Sequence, residues 1–278
     1  MIRILVDSSS DYTMEEINNN GFHFVPLNIS LDGKHYQDGV ELKPDDFYEL
    51  LINTDSFPQT SQPSPQQFAD IFEDVKAKGD EVICILLSSS LSGTCQSAHL
   101  AKDMVDYEGI YIIDSLTATA MIKLLGDHAA CLVKEGYCAK EIVAKIEAMK
   151  SKVKVAAGLD TLEYLCKGGR LSKASATIGE LANLKPIITV TPDGKVSVIG
   201  KCLGKNKALN FLMKYLQDNE RDTSFPLYTL YSYGTDNTEK LEERLTKEGL
   251  AYDGRVQLGS TIGAHIGPGA FAILYVIK

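Results

Sequence analysis

The chain has 278 residues, 44% of them apolar and 23% charged, with a formal net charge of −9 at pH 7. This is enough apolar sequence to bury a full core, in two modest domains or one large one. The acidic balance excludes general nucleic-acid binding, which needs a basic face to release counterions, and argues against a hold on anionic lipid by charge, leaving small molecules and proteins as partners.

From the start, the chain reads as alternating strands and amphipathic helices. Residues 2–6 and 22–29 are predicted strands, the second interrupted by Pro26. A helix is expected over 45–53, a polar loop over 57–65 and a helix over 65–78. Residues 81–87 form a near-continuous apolar run, the mark of a strand buried on both faces of a parallel sheet. A helix over 93–105, a strand over 109–113 and a helical stretch over 117–136 complete a strand-helix-strand repetition that points to a parallel sheet covered by helices.

Beyond residue 150 the pattern changes. Asp160-x-x-Glu163 reads as a capping box for a short helix ending at Gly168-Gly169, and Ser172 as the cap of a further helix ending before Pro186. Strands over 186–191 and 195–200 flank Thr191-Pro192-Asp193-Gly194, a hairpin signal. A helix over 206–217, strands over 227–233 and 255–258 with a helix over 238–248 between them, and a last strand over 270–277 follow. The fold class is therefore α/β: a parallel-sheet α/β/α domain over residues 1–150, then an α+β domain with a largely antiparallel sheet over 151–278. No apolar run approaches the ~20 residues of a bilayer span. The opening residues lack the features of an export signal, so the six cysteines, without any C-x-x-C pair, are expected reduced and the compartment cytoplasmic.

Three hydroxyl-rich loops follow strands in the first half: Asp7-Ser8-Ser9-Ser10-Asp11, Ser88-Ser89-Ser90-Leu91-Ser92-Gly93-Thr94 and Asp114-Ser115. Carboxyl ends of strands line the ligand crevice of an open parallel sheet, so these loops are expected to converge. Ser92-Gly93 combines a hydroxyl, a flexible glycine and free amides at a helix N-terminus, which suits a carboxylate or phosphate. Serines after strands also cap helices and form turns, and spacing does not separate the two roles. The absence of G-x-x-x-x-G-K-[ST] and of a strand-to-helix G-x-G-x-x-G weakens the phosphate reading. Thr60 and Ser61 offer further donors for the same anion, while Ser64 is placed to cap the helix that Pro65 opens.

Arg170 is the candidate cation, since its planar fork matches a carboxylate; a surface charge or an ion pair between domains is the alternative. His265 lies among the glycines of 259–269, which let backbone approach a ligand or the other domain closely, although a lone histidine is as a rule structural. The other histidines show no metal-ligand spacing. Asp7 and Asp114 at strand ends suit either Mg²⁺ in phosphotransfer or, more commonly, capping of the following turn. Ser92 with His265 and a strand-end aspartate makes a serine hydrolase or acyltransferase the alternative to a binding protein. Against it, Ser90 stands where G-x-S-x-G needs its first glycine. Lys201, Lys205 and Lys207 form a basic patch, read first as a solvated face and second as a docking surface.

Taken in order, Ile4–Asp11, Gln59–Ser64, Ser88–Thr94 with Gln96-Ser97-Ala98, Asp114-Ser115, Leu162-Glu163-Tyr164-Leu165 with Gly168-Gly169-Arg170-Leu171-Ser172, Lys185-Pro186-Ile187-Ile188 and His265-x-Gly267-Pro268-Gly269 resemble the DegV family. Its members include the lipid-carrying subunits of bacterial fatty acid kinases. The resemblance spans essentially the whole chain; Cys95 stands where the family commonly has an aromatic residue. It implies a non-enzymatic carrier that holds one long-chain fatty acid between the two domains, with no metal and no cofactor besides that ligand. The implied carboxylate donors are the hydroxyls of Thr60 or Ser61 and of Ser92, with the Gly93 amide, while Arg170 and His265 form a supporting layer. A separate kinase, with Lys201 or Lys205 at the contact, is the implied partner.

Overall fold

The computed structural model describes residues 1–172 and 183–278. Its elements run β1 (Ile2–Asp7), α1 (Met14–Asn20), β2 (His23–Val25), β3 (Asn28–Leu31), β4 (Lys34–Gln37), α2 (Pro44–Ile52), β5 (Gln59–Ser61), α3 (Pro65–Lys78), β6 (Glu81–Leu86), α4 (Thr94–Val105), β7 (Ile110–Asp114), α5 (Ala120–Lys134) and α6 (Ala139–Lys150) in the first half. Then come β8 (Val153–Gly158), α7 (Glu163–Lys167), β9 (Leu184–Val190), β10 (Val196–Leu203), α8 (Lys205–Gln217), β11 (Tyr228–Tyr231), α9 (Asp236–Lys247), β12 (Gly254–Gln257), α10 (Ser260–Ile266) and β13 (Phe271–Val276).

The apolar runs of the first half form a parallel sheet in the order β2-β1-β6-β7. The second sheet runs β10-β9-β8-β13-β11-β12, antiparallel throughout except for the parallel β11–β12 pair. The α/β class with a parallel sheet and a separate, largely antiparallel one is thus what forms. Helix ends follow their local chemistry. Ser64 and Gln67 make a capping box on α3, Pro65 occupies its first turn, and Gly79 closes it in the left-handed region.

Residues 22–29 are split between two sheets rather than forming one interrupted strand. Pro26 has no N–H to offer a ladder, so β2 ends before it and β3 joins a small antiparallel sheet, β4-β3-β5, instead. The β3–β4 turn is Asp32-Gly33 with φ of 51° and 71°, the twist that a two-residue hairpin favours. The Asp160–Glu163 capping box does not form. The Glu163 amide donates to Thr161 Oγ1, and Asp160 instead takes the ammonium of Lys185 at 2.7 Å across the sheet edge. Residues 259–269, to which the sequence assigns no element, carry the short helix α10. The helix expected after Ser172 lies outside the described residues.

One apolar cluster runs through both halves, joining Ile4, Val6 and Ile113 of the parallel sheet to Val155, Leu230 and Leu274 of the second. The halves are also pinned by hydrogen bonds. The hairpin turn between β9 and β10 reaches the serine loop after β6, where Ser88 Oγ donates to Gly194 O at 2.9 Å and Ser90 Oγ to Asp193 O at 2.7 Å. Gly194 is needed there twice over. Its φ is +77°, and a Cβ would collide with Ser88 Oγ.

Gly136 has a comparable φ of +88° but open space around it. Gly136→Ala should therefore lose only the backbone strain, about 1–2 kcal/mol. Gly194→Ala should lose about 1–3 kcal/mol more through overpacking at the docked turn. Urea unfolding of the two variants reads the difference, and equal losses would mean the hairpin is not docked in solution.

Candidate functional site

Thr60 sits at the centre of β5, opposite the fully buried Ile29 of β3. Strand alternation turns its side chain inward, while Ser61 takes the other face and is exposed. Thr60 Oγ1 meets Nε2 of His265, in the last turn of α10, at 2.9 Å. The far side of the ring packs on Gly168, just past α7, where a Cβ would run into Nδ1. Nδ1 is buried and has no hydrogen-bond partner among the described residues.

That orphaned nitrogen fixes the direction of the bond. A buried N–H without an acceptor is costlier than a bare lone pair, so the proton belongs on Nε2 and is donated to Thr60 Oγ1. Thr60 then keeps its own hydroxyl proton for something else. Burial, and secondly the charge of Arg170, lower the His265 pKa to about 4, so the ring is neutral near pH 7, as this arrangement requires.

Another hydroxyl is prepared in the same way at the start of α4. Ser92 Oγ lies 2.9 Å from Thr94 Oγ1. Thr94 is fully buried and has no other partner among the described residues, so its proton goes to Ser92 and frees the Ser92 proton. The neighbouring Gly93 amide has no acceptor among the described residues. Its missing Cβ makes room for the Gln62 side chain, which donates to Ser97 Oγ at 3.1 Å.

Arg170 completes this end. Its Nε donates to Leu91 O at 3.0 Å and Nη1 to Gly168 O at 2.6 Å, which ties the Ser92 loop to the turn beneath His265. No carboxylate pairs with it among the described residues, and partial burial lowers its pKa, although a guanidinium remains charged. One end of the site thus presents two free hydroxyl protons beside a guanidinium that no carboxylate among the described residues pairs.

From this polar end an otherwise apolar cavity runs between the two sheets. Cavity and mouth enclose about 830 Å³ of atom-free space. Thr60, Ser92, Arg170 and His265 line it together with Leu27, Leu87, Val155, Ile188, Leu230 and Ile266.

Of the six residues singled out in the sequence, four line one cavity, Gly93 borders it, and Ser61 faces away. Ser92 and His265 do not bond each other, since Ser92 is engaged with Thr94 and His265 with Thr60. The hydrolase alternative therefore lacks its nucleophile–base pair. Asp7 spends both oxygens on backbone amides, Leu87 N at 2.7 Å and Ser9 N at 2.9 Å, and Asp114 takes Ser89 N at 3.1 Å and Leu116 N at 3.0 Å on the single oxygen Oδ1. The sequence does not mark Thr94 or Gly168 as site residues. Thr94 is legible as a hydroxyl directly after Ser92-Gly93, whereas Gly168 has only the signature of an ordinary helix stop.

Fold and site define a class: α/β proteins with a parallel and a largely antiparallel sheet enclosing a largely apolar cavity that has hydroxyls and a guanidinium at one end. The chain belongs to the DegV family, COG1307, whose sequence model matches residues 1–278. A DegV domain-containing protein of Caldanaerobacter subterraneus is 38% identical over 281 residues, covering 100% of this chain and 99% of that protein. Among solved structures, a fatty acid-binding DegV family protein from Thermus thermophilus superposes with a TM-score of 0.90 at 30% identity, covering 100% of this chain and 99% of that one. A stearic acid-binding protein from Eubacterium ventriosum gives 0.87 at 27% identity, covering 99% and 98%. DegV of Bacillus subtilis, a fatty acid-binding protein, gives 0.86 at 29% identity, covering 100% and 99%.

A histidine pKa held below its ordinary 6.5 favours folding while the ring is neutral. That contribution is fully present above pH 6.5 and is lost as pH falls through about 4. Imidazole NMR should show His265 uncharged down to about pH 5, with a midpoint that rises in Arg170→Gln yet stays below 6.5 because burial is the larger cause. A wild-type midpoint near 6.5 would mean that the ring is open to water.

Proposed function

We propose that the protein is a carrier for one long-chain fatty acid, held between a parallel domain over residues 1–150 and an α+β domain over 151–278. In this reading Thr60 and Ser92 donate their free protons to the carboxylate, the Gly93 amide adds a third donor, and Arg170 supplies the balancing charge. Ser61 takes no part. The observation that carries the reading is a largely apolar cavity with two pre-oriented hydroxyls at one end, beside a guanidinium that no carboxylate among the described residues pairs. The fatty acid-binding relatives among the solved structures support it.

The energetics agree. Each buried CH₂ contributes about 0.8 kcal/mol, so a long acyl chain supplies most of the affinity. The head group then needs only enough donors to avoid a buried, unpaired charge. Nothing in the arrangement activates a nucleophile. The bound carboxylate lies at the mouth of its own cavity, and a separate kinase acting on it to form an acyl phosphate is the partner we infer, with the cytoplasm as the compartment.

Native mass spectrometry of the purified protein, with lipid analysis of its organic extract, tests the reading. The expected result is a mass excess of one fatty acid that reappears in the extract. A bare mass combined with failure to take up added fatty acid would overturn it. Thr60→Ala and Ser92→Ala should each weaken binding about tenfold while the fold survives, since each removes one donor from a buried anion. Titration with a fluorescent fatty acid measures this, and affinity unchanged in both variants would remove these hydroxyls from the site.

A further inference from the structure

Behind the apolar cavity lies another space, a polar cleft of about 1720 Å³ including its opening to solvent, lined by Asp11, Asp38, Lys123, Arg255 and Gly259 among others. A single layer of residues separates the two. Thr119 and Thr261 face the apolar cavity, and Asp11, Asp38 and Gly259 face the cleft. Asp11 Oδ2 accepts from the Thr119 hydroxyl at 2.5 Å and Oδ1 from Gly259 N at 2.8 Å. The two oxygens of Asp38 accept from Ser260 N and Thr261 N, each at 3.2 Å. Two carboxylates from the first half therefore take three successive amides at the start of α10.

These groups are costly where they stand. Asp11 is 7% and Asp38 2% exposed, burial raises both pKa values, Asp11 to about 7, and no cation hydrogen-bonds either one among the described residues. The nearby Lys123 is paired with Glu16. A buried carboxylate with no cation is retained at a cost in stability, which makes its geometric consequence the point of interest. Here that consequence is the placement of α10. The helix contributes Thr261, Ile262, His265 and Ile266 to the cavity wall. Its flank is set by Gly263, where a Cβ would strike the ring and hydroxyl of Tyr48, and Tyr48 itself donates to Leu258 O at 3.0 Å. His265 lies five residues beyond Ser260, about 7 Å along the axis. A shift at the amide end is carried directly to the imidazole.

We propose that Asp38, with Asp11 beside it, is a positioning residue of the ligand site: it grips α10 from the opposite half and thereby sets His265 against Thr60 and the tunnel wall against the acyl chain. The proposal rests on the fatty-acid reading of the cavity. The two aspartates differ in their partners. At position 11, asparagine keeps both bonds, with its oxygen accepting from Gly259 and its amide donating to the Thr119 oxygen. At position 38 each oxygen faces a backbone N–H, with the hydroxyls of Ser8, Ser260 and Thr261 close by, so asparagine must turn its own N–H toward one of those two amides.

The test is fluorescent fatty-acid titration together with imidazole NMR of His265 in folded protein. Asp38→Asn should bind about tenfold more weakly and move the His265 signals, while the exposed control Glu243→Gln should leave both nearly unchanged. Ser260→Pro removes one of the two donors at a first-turn position that tolerates proline, and should weaken binding in the same direction. The pair Asp38→Asn/Ser260→Pro should be no worse than Asp38→Asn alone, because the conflicting N–H is gone. Wild-type affinity with unmoved His265 signals in Asp38→Asn, or losses that simply add in the double variant, would overturn the proposal. If Asp38→Asn does not fold, Ser260→Pro decides by the same two readouts. If the wild type takes up no fatty acid, the carrier reading falls, while the His265 signals still report on the grip.

Discussion

The hydrogen bond between Thr60 and His265 joins a three-residue strand of the small sheet to a seven-residue helix of the C-terminal half, and the polar end of the cavity depends on it. Nε2 donates to Thr60 whether the ring is neutral or charged, but a second proton on Nδ1 would be buried with no acceptor among the described residues, so the ring sits here neutral. Neutrality in turn requires a dry site, because burial is the main cause of the lowered pKa. The apolar walls therefore do more than accommodate a ligand: they keep a second proton off the buried Nδ1. Thr94 performs the same service for Ser92 without any titrating group. Neither hydroxyl needs to rotate away from a competing acceptor when an anion arrives, so the donors are organised in advance.

The cavity lies within a core common to both halves, and this explains why so many of the hydroxyls noted in the sequence are spent on joining them. Ser88 and Ser90 hold the β9–β10 turn. Arg170 bridges the Ser92 loop and the turn after α7. Each contact brings an element of the second half down over the carboxyl ends of the parallel strands, where a crevice would otherwise stand open. In the run Ser88–Ser92, Ser88 Oγ takes the Ser90 amide in a turn, Ser88 and Ser90 also hold the β9–β10 turn, and Ser92 lines the cavity.

Much of this is legible where periodicity or turn chemistry is strong. The buried run of β6, the boxed and proline-started α3 and the hairpin at Thr191–Gly194 all announce themselves locally. The Asp32-Gly33 hairpin carries an equally plain dipeptide signal, one that an expected strand over 22–29 passes over. Other features have no local signature. The strand β8 is short and rich in alanine and valine, and it is fixed by pairing with β9 and along its length with β13, more than a hundred residues later. Asp38 resembles any turn aspartate until α10 arrives above it, and Gly168 resembles a helix stop until His265 rests on it. Contacts between distant segments make these roles, and one sequence does not display them.

The place of β13 has a consequence for how the protein is made. This strand pairs β8 on one side and β11 on the other, so the six-stranded sheet consists of two unjoined pieces until residues 271–276 are available. The parallel sheet, by contrast, needs nothing beyond residue 114. During synthesis the first half can settle while the second waits for its central seam. The donors on β5 and α4 are then in position early, whereas the tunnel that shields them closes only when the final strand is threaded between its neighbours. A chain stalled or clipped a few residues short would carry half a head-group site, and its greasy lining would be left open to chaperones and proteases.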